Sequence, residues 1–187
     1  MPALSPLTTL PPFLLASALS AYALYLSKTN ISLLQKYESA SEKAAQWSNT
    51  AAQRLRKTRT TQASGTVAAA LSFLAGTTLP FLPSYHSPAT LGLLGLSQCL
   101  LLYGARTHMS GFWNEGTQAR VPFLEGFNDA VRGSEAVVGV LDLLVWSWAV
   151  AGGVWLADLG ALGVGVWAGV VGARGVWVMR ERGGGGY

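Results

Sequence analysis

The sequence predicts an all-α fold, a polytopic membrane helix bundle of about five transmembrane helices, and three observations lead to it. Only 12% of the 187 residues are charged, about half the share found in a soluble domain of this size. The deficit is concentrated, because from Ala136 to Met179 the only side chains with a full charge are Asp142, Asp158 and Arg174. When five apolar segments are threaded across a bilayer in alternation, all 13 Lys and Arg residues collect on one side.

The segments follow from the need for roughly 20 apolar residues to cross a hydrocarbon core of about 30 Å. The first is 7–26, with its most regular helix expected after Pro11-Pro12, since proline suits a first helical turn. The second is 63–82, closed by Pro80 and Pro83, and the third, at 88–105, is the shortest. The fourth and fifth, 135–156 and 159–179, form a hairpin in which Asp158 stands where it could cap the fifth helix.

Topology comes from the cations. The Met1 end, the loop 83–87 and Asp158 share a side that holds no Lys or Arg. The segment after span one, the loop after span three and the C-terminal end share the other, with Arg174 snorkelling from span five. The positive-inside rule then sets the N-terminus outside and the C-terminus in the cytoplasm. No Lys or Arg precedes the first apolar run, so an uncleaved anchor is expected rather than a signal peptide. Asn30-Ile-Ser32 has the form of a glycosylation acceptor but falls on the cytoplasmic side, where it is expected to stay unmodified.

Outside the spans, residues 29–62 are patterned as a cytoplasmic amphipathic helix. Ser32-Leu-Leu-Gln35 has the form of a capping box, and Leu33, Tyr37, Ala40, Ala44, Trp47, Ala51 and Leu55 recur at steps of three and four. The helix ends in a basic run, Arg54, Arg56, Lys57 and Arg59, suited to lipid headgroups and to anionic lipids. The loop 106–134 is expected to carry an interfacial helix between Pro122 and Gly133, with Phe112 and Trp113 as aromatic anchors. Its polar groups His108, Glu115, Glu125 and Asp129 could converge at the cytoplasmic face, although no spacing there matches a catalytic motif. Residues 180–187 read as a flexible tail.

Small residues carry helix association in lipid. In span five Ala161, Gly165, Gly169 and Ala173 recur every four residues and include a GxxxG, expected to pack within the chain in preference to forming a homodimer. Span two offers Gly65, Ala69, Ser72 and Gly76, and span three Gly92, Gly95 and Cys99.

Asp142 is the exceptional residue. A carboxylate about 10 Å below the membrane face costs several kcal/mol unless partnered or protonated. Counting inward from the same face on each span selects Gln98, Ser72 and Arg174 as its polar layer. Asp142 is then a hydrogen-bonded knot that sets helix register, a proton or cation site in a transporter, or an acid/base in a membrane-embedded enzyme.

Several classes are excluded. His86 and His108 fall on opposite faces, so one chain cannot bring both to a metal, and the lone Cys99 forms no Cys-x-x-Cys pair. No metal or cofactor is expected. The basic run is too short for a nucleic-acid surface. The expected partners are the lipid bilayer, anionic lipids, and a membrane-protein partner or a second copy. Three functions fit the pattern. The first is a non-catalytic scaffold or accessory subunit of an endomembrane such as the endoplasmic reticulum. The others are a small transporter or channel using Asp142, and a membrane enzyme acting on a lipophilic substrate, with His108, Glu115 or Asp129 at the cytoplasmic face.

Overall fold

Each apolar run forms a helix because nothing in it ends the backbone ladder. The computed structural model describes residues 6–82, 87–113 and 125–183, and among these no strand occurs. Five helices follow one another: α1 (Pro6–Trp47), α2 (Asn49–Thr78), α3 (Pro88–Ser110), α4 (Glu125–Leu156) and α5 (Gly160–Gly183). A single 3-10 turn, Leu79–Phe81, extends α2. All five are long and apolar enough to cross a membrane, the make-up of an integral membrane protein.

The helices outrun the apolar segments. Helix α1 begins before Pro11-Pro12 and holds both prolines in its second turn, where two ladder donors are lost without ending the helix. It then continues to Trp47 in one piece. Ser32 is therefore not a cap: it lies mid-helix and its hydroxyl donates to the Lys28 carbonyl at 2.9 Å. Between Leu26 and Ser32 no Gly or Pro stops propagation, so the expected separate helix over 29–62 is instead two arms joined at Ser48. Ser48, extended at φ −143°, accepts a hydrogen bond from the Ala51 amide and starts α2.

The expected interfacial helix is corrected in the same way. Gly133 does not end a helix, because α4 runs through it from Glu125. Pro122 and Glu115 lie outside the described residues. Trp113 is not a lipid anchor. It is buried, and its indole N–H donates to Thr61 of α2 at 2.9 Å.

Asp158 ends α4 rather than capping α5. Its φ is +50°, its amide donates to the Trp155 carbonyl at 3.1 Å, and the Leu159 amide donates to Val154 at 3.3 Å. Those paired bonds, with a left-handed residue in the position glycine usually takes, form a Schellman motif.

Helix α4 is the centre of the bundle, packed on α1, α3 and α5, with α2 bridging α1 and α3. The core is aromatic: Phe13 of α1 meets Trp155 at 5.2 Å and Trp148 at 6.0 Å, the latter edge to face. The tightest crossing joins α3 to α4, where a Cβ on Gly95 would fall 2.8 Å from the Gly152 Cα. Span two's small residues Gly65, Ala69, Ser72 and Gly76 are buried. In α5 the expectation fails. A Cβ on Gly165 or Gly169 would meet nothing within 4 Å, so this stretch of the stripe faces outward and does not pack within the chain. Ala173 is exposed as well, and the Ala161 side chain lies outside the described ones. The inward face of α5 is instead Gly163, Trp167 and Val171. Trp167 donates from its indole to the Ser147 carbonyl at 3.2 Å.

Candidate functional site

The chemistry of the bundle gathers toward one end, where α1 and α2 run on as a hairpin and α3, α4 and α5 bring their ion pairs. Asp142, 7% exposed, uses both carboxylate oxygens. Arg174 of α5 donates from Nε to Oδ2 at 2.7 Å, and Arg106 of α3 approaches Oδ1 at 3.2 Å. Helix direction explains the meeting. Side chains lean toward the N-terminus of their own helix. Because α4 runs opposite to α3 and α5, Asp142 leans toward the hairpin end and both arginines lean inward to meet it. Arg174 is further held by the Trp177 ring, with its guanidinium carbon 3.8 Å from the ring centroid. One carboxylate thus ties α3 and α5, which scarcely touch each other, to the central helix.

Of the expected polar layer, Arg174 is present and the rest is rearranged. Ser72 belongs to a separate knot, accepting from the Ser20 hydroxyl and the Trp148 indole N–H, each at 2.9 Å. The Gln98 Oε1 atom is buried without a hydrogen-bond partner. Counting inward from the limits of apolarity misplaced Gln98, because the α3–α4 register is set by Gly95 against Gly152, which puts Asp142 near Ala105. Arg106, the residue that sequence reasoning left in a loop, is the actual partner. Its signal was an arginine one helical step past an apolar run, able to reach back into the bundle.

A second polar cluster sits nearer the hairpin. Gln62 donates from Nε2 to the Ser134 hydroxyl at 2.7 Å, and that hydroxyl donates to the Ala130 carbonyl. Asn30 lies against Gly133, where a Cβ would fall 2.0 Å from its Oδ1. Ser27 Oγ, Asn30 Nδ2 and Gln62 Oε1 are buried without hydrogen-bond partners among the described residues. Asn30 is 3% exposed, so the glycosylation sequence is inaccessible in the folded chain.

The other candidates do not form a centre. His108 is exposed on α3, and Asp129 is exposed and paired with Arg132 on its own helix. Among the described residues no three His, Cys, Asp or Glu side chains are grouped to hold a metal. A scan against protein families, a search of curated proteins and a search of solved structures find no match.

From Asn30 to Trp47 α1 projects about 26 Å past the level of the second cluster. Between Lys28 and Gln62 the chain carries seven cations and two carboxylates, a net +5 against +4 for the whole protein. Arg59 is committed, donating to Glu38 and Glu42 at 2.6 Å each and so clasping the two arms. Arg54, Arg56 and Lys57 are exposed, as is Trp47 at the tip, 89% accessible.

Proposed function

We infer that this chain is a non-catalytic multi-pass protein of an endomembrane, acting as a scaffold or accessory subunit that presents its basic hairpin to a partner on the cytoplasmic side. The observation that carries the reading is the hairpin itself. Its arms are unbroken continuations of two spans, so its orientation is coupled to the bundle without a flexible joint. It concentrates the molecule's positive charge and ends in an exposed tryptophan, a side chain favoured in binding hot spots. The excess of cations at this end supports a cytoplasmic hairpin and C-terminus, with the N-terminus across the membrane. Lys57, nearest the bundle, is the cation suited to anionic headgroups, while Arg54, Arg56 and Lys43 suit a more distant acidic partner, Arg59 being taken by Glu38 and Glu42.

The geometry of Asp142 weighs against the transporter reading. A carboxylate engaged by two guanidiniums is poorly suited to take up and release a cation. The scattering of His108 and Asp129 likewise gives the enzyme reading little support.

A photo-crosslinking residue in place of the exposed Gln46, beside Trp47, activated in intact membranes, tests the proposal. A discrete adduct that disappears when Arg54, Arg56 and Lys57 are changed to Glu supports a charge-guided docking surface. Absence of a discrete adduct, or one indifferent to charge reversal, contradicts it.

A further inference from the structure

The Arg106–Asp142–Arg174 cluster sets two guanidiniums against one carboxylate and so carries a formal charge of +1. Each arginine approaches the acid through Nε. A guanidinium holds five N–H donors, and among the described residues no protein acceptor meets the Nη groups of either arginine. The two side chains are 32% and 23% exposed. Helices α3 and α5 both pack on α4 and neither packs substantially on the other. With little packing between α3 and α5, the partly exposed guanidiniums are accessible from the surroundings of the bundle.

In a bilayer those surroundings are lipid. Counting about 20 residues from the far end of α4 puts the near limit of the hydrocarbon close to Ala136. Asp142 then lies about 9 Å inside that limit. Unmet donors and an uncompensated charge at such a depth are costly. The nearest acceptors of opposite sign are lipid phosphates, and guanidinium forks match phosphate oxygens in bidentate fashion. Trp177, stacked on Arg174, fixes the plane of one fork.

We propose that Arg106 and Arg174 form a binding site for the phosphate of an anionic phospholipid, drawn to them from the leaflet on the hairpin side. Asp142 is the positioning residue that holds the two forks on one point. This site is separate from the basic run of the hairpin and depends only on the helices lying in a membrane, not on the scaffold reading.

The test uses the full-length protein in phosphatidylcholine-containing micelles, titrated with phosphatidic acid, a small-headgroup probe, and read by native mass spectrometry. One phosphatidic acid is expected to be retained. Arg106→Gln or Arg174→Gln should weaken retention at least tenfold, whereas a combined Arg54→Gln, Arg56→Gln, Lys57→Gln variant should not. Millimolar inorganic phosphate should leave the bound lipid in place. Undiminished retention in both single variants, an equal loss in the hairpin variant, or displacement by inorganic phosphate would overturn the assignment. If the single variants fail to fold, the wild-type protein decides, using a photoactivatable phosphatidic acid. Adducts within 103–110 or 173–181 support the site, and adducts confined elsewhere overturn it.

Discussion

Replacing Gly95 with Ala should loosen the bundle more than any other single methyl added to its glycines at helix crossings with α4's backbone. The new Cβ would lie 2.8 Å from the Gly152 Cα, 3.1 Å from its N and 3.2 Å from the Trp148 carbonyl oxygen. Favourable carbon contacts begin near 3.5 Å, so the helices have to separate by about 0.7 Å or more. Every blocking atom is backbone, so no side-chain rotation relieves the contact. Overpacking of this kind costs about 1–3 kcal/mol, offset by up to about 1 kcal/mol of helix propensity gained over glycine. A net loss of about 1–2 kcal/mol is expected. Gly92→Ala should cost less, because its nearest obstacle is the Leu156 side chain, 45% exposed and able to swing away. Gly165→Ala and Gly169→Ala meet nothing and should be neutral or slightly stabilising. Unfolding in mixed micelles, followed through the tryptophan fluorescence, measures all four. If Gly165→Ala destabilises as much as Gly95→Ala, the assignment of the inward and outward faces is wrong.

Three further outcomes follow from individual contacts. Gly133→Ala should destabilise by about 1–3 kcal/mol by driving out Asn30, and Asn30→Ala should relieve part of that cost; strict additivity in the double-mutant cycle would refute the contact. Asp142→Asn leaves two arginines facing each other and should cost toward the lower end of the roughly 3–5 kcal/mol seen for broken buried pairs, since the arginines are partly exposed. Replacing all three residues with Leu or Met should cost less than Asp142→Asn alone, and the reverse order in micelle unfolding would show that the triad's charge balance is not what matters. Asp158→Gly should stabilise by a few tenths to about 1 kcal/mol by removing the left-handed penalty, while Asp158→Val should destabilise; equal melting temperatures for the two variants would contradict the Schellman turn.

The five apolar helices were legible because their length and lack of charge are read directly from composition. Helix ends were not. Ser32, Pro122 and Gly133 each carry a local signal for a boundary, yet tertiary packing and an unbroken ladder carried α1 and α4 through Ser32 and Gly133. The α4–α5 register was legible because a short turn pins it, which is why Arg174 was found. The α3–α4 register was not, because fourteen residues separate the two helices and a backbone contact between glycines decides the alignment. Arg106 was missed for that reason. The α5 stripe misled for another: its GxxxG spacing says that a close approach is allowed, not which side of the helix the rest of the chain occupies.

The central claim is that an odd number of crossings places the hairpin and the C-terminus together, across the membrane from the N-terminus. It is tested most directly by impermeant thiol labelling of sealed, right-side-out vesicles. Single cysteines would stand at Ser5, Trp47 and Tyr187, with Cys99 changed to Ser. In endomembrane vesicles the cytoplasmic face is outward, so labelling at positions 47 and 187 before lysis, with position 5 reacting only after it, is the predicted result. Reaction of positions 5 and 187 under the same condition would contradict the topology and the assignment of sides built on it.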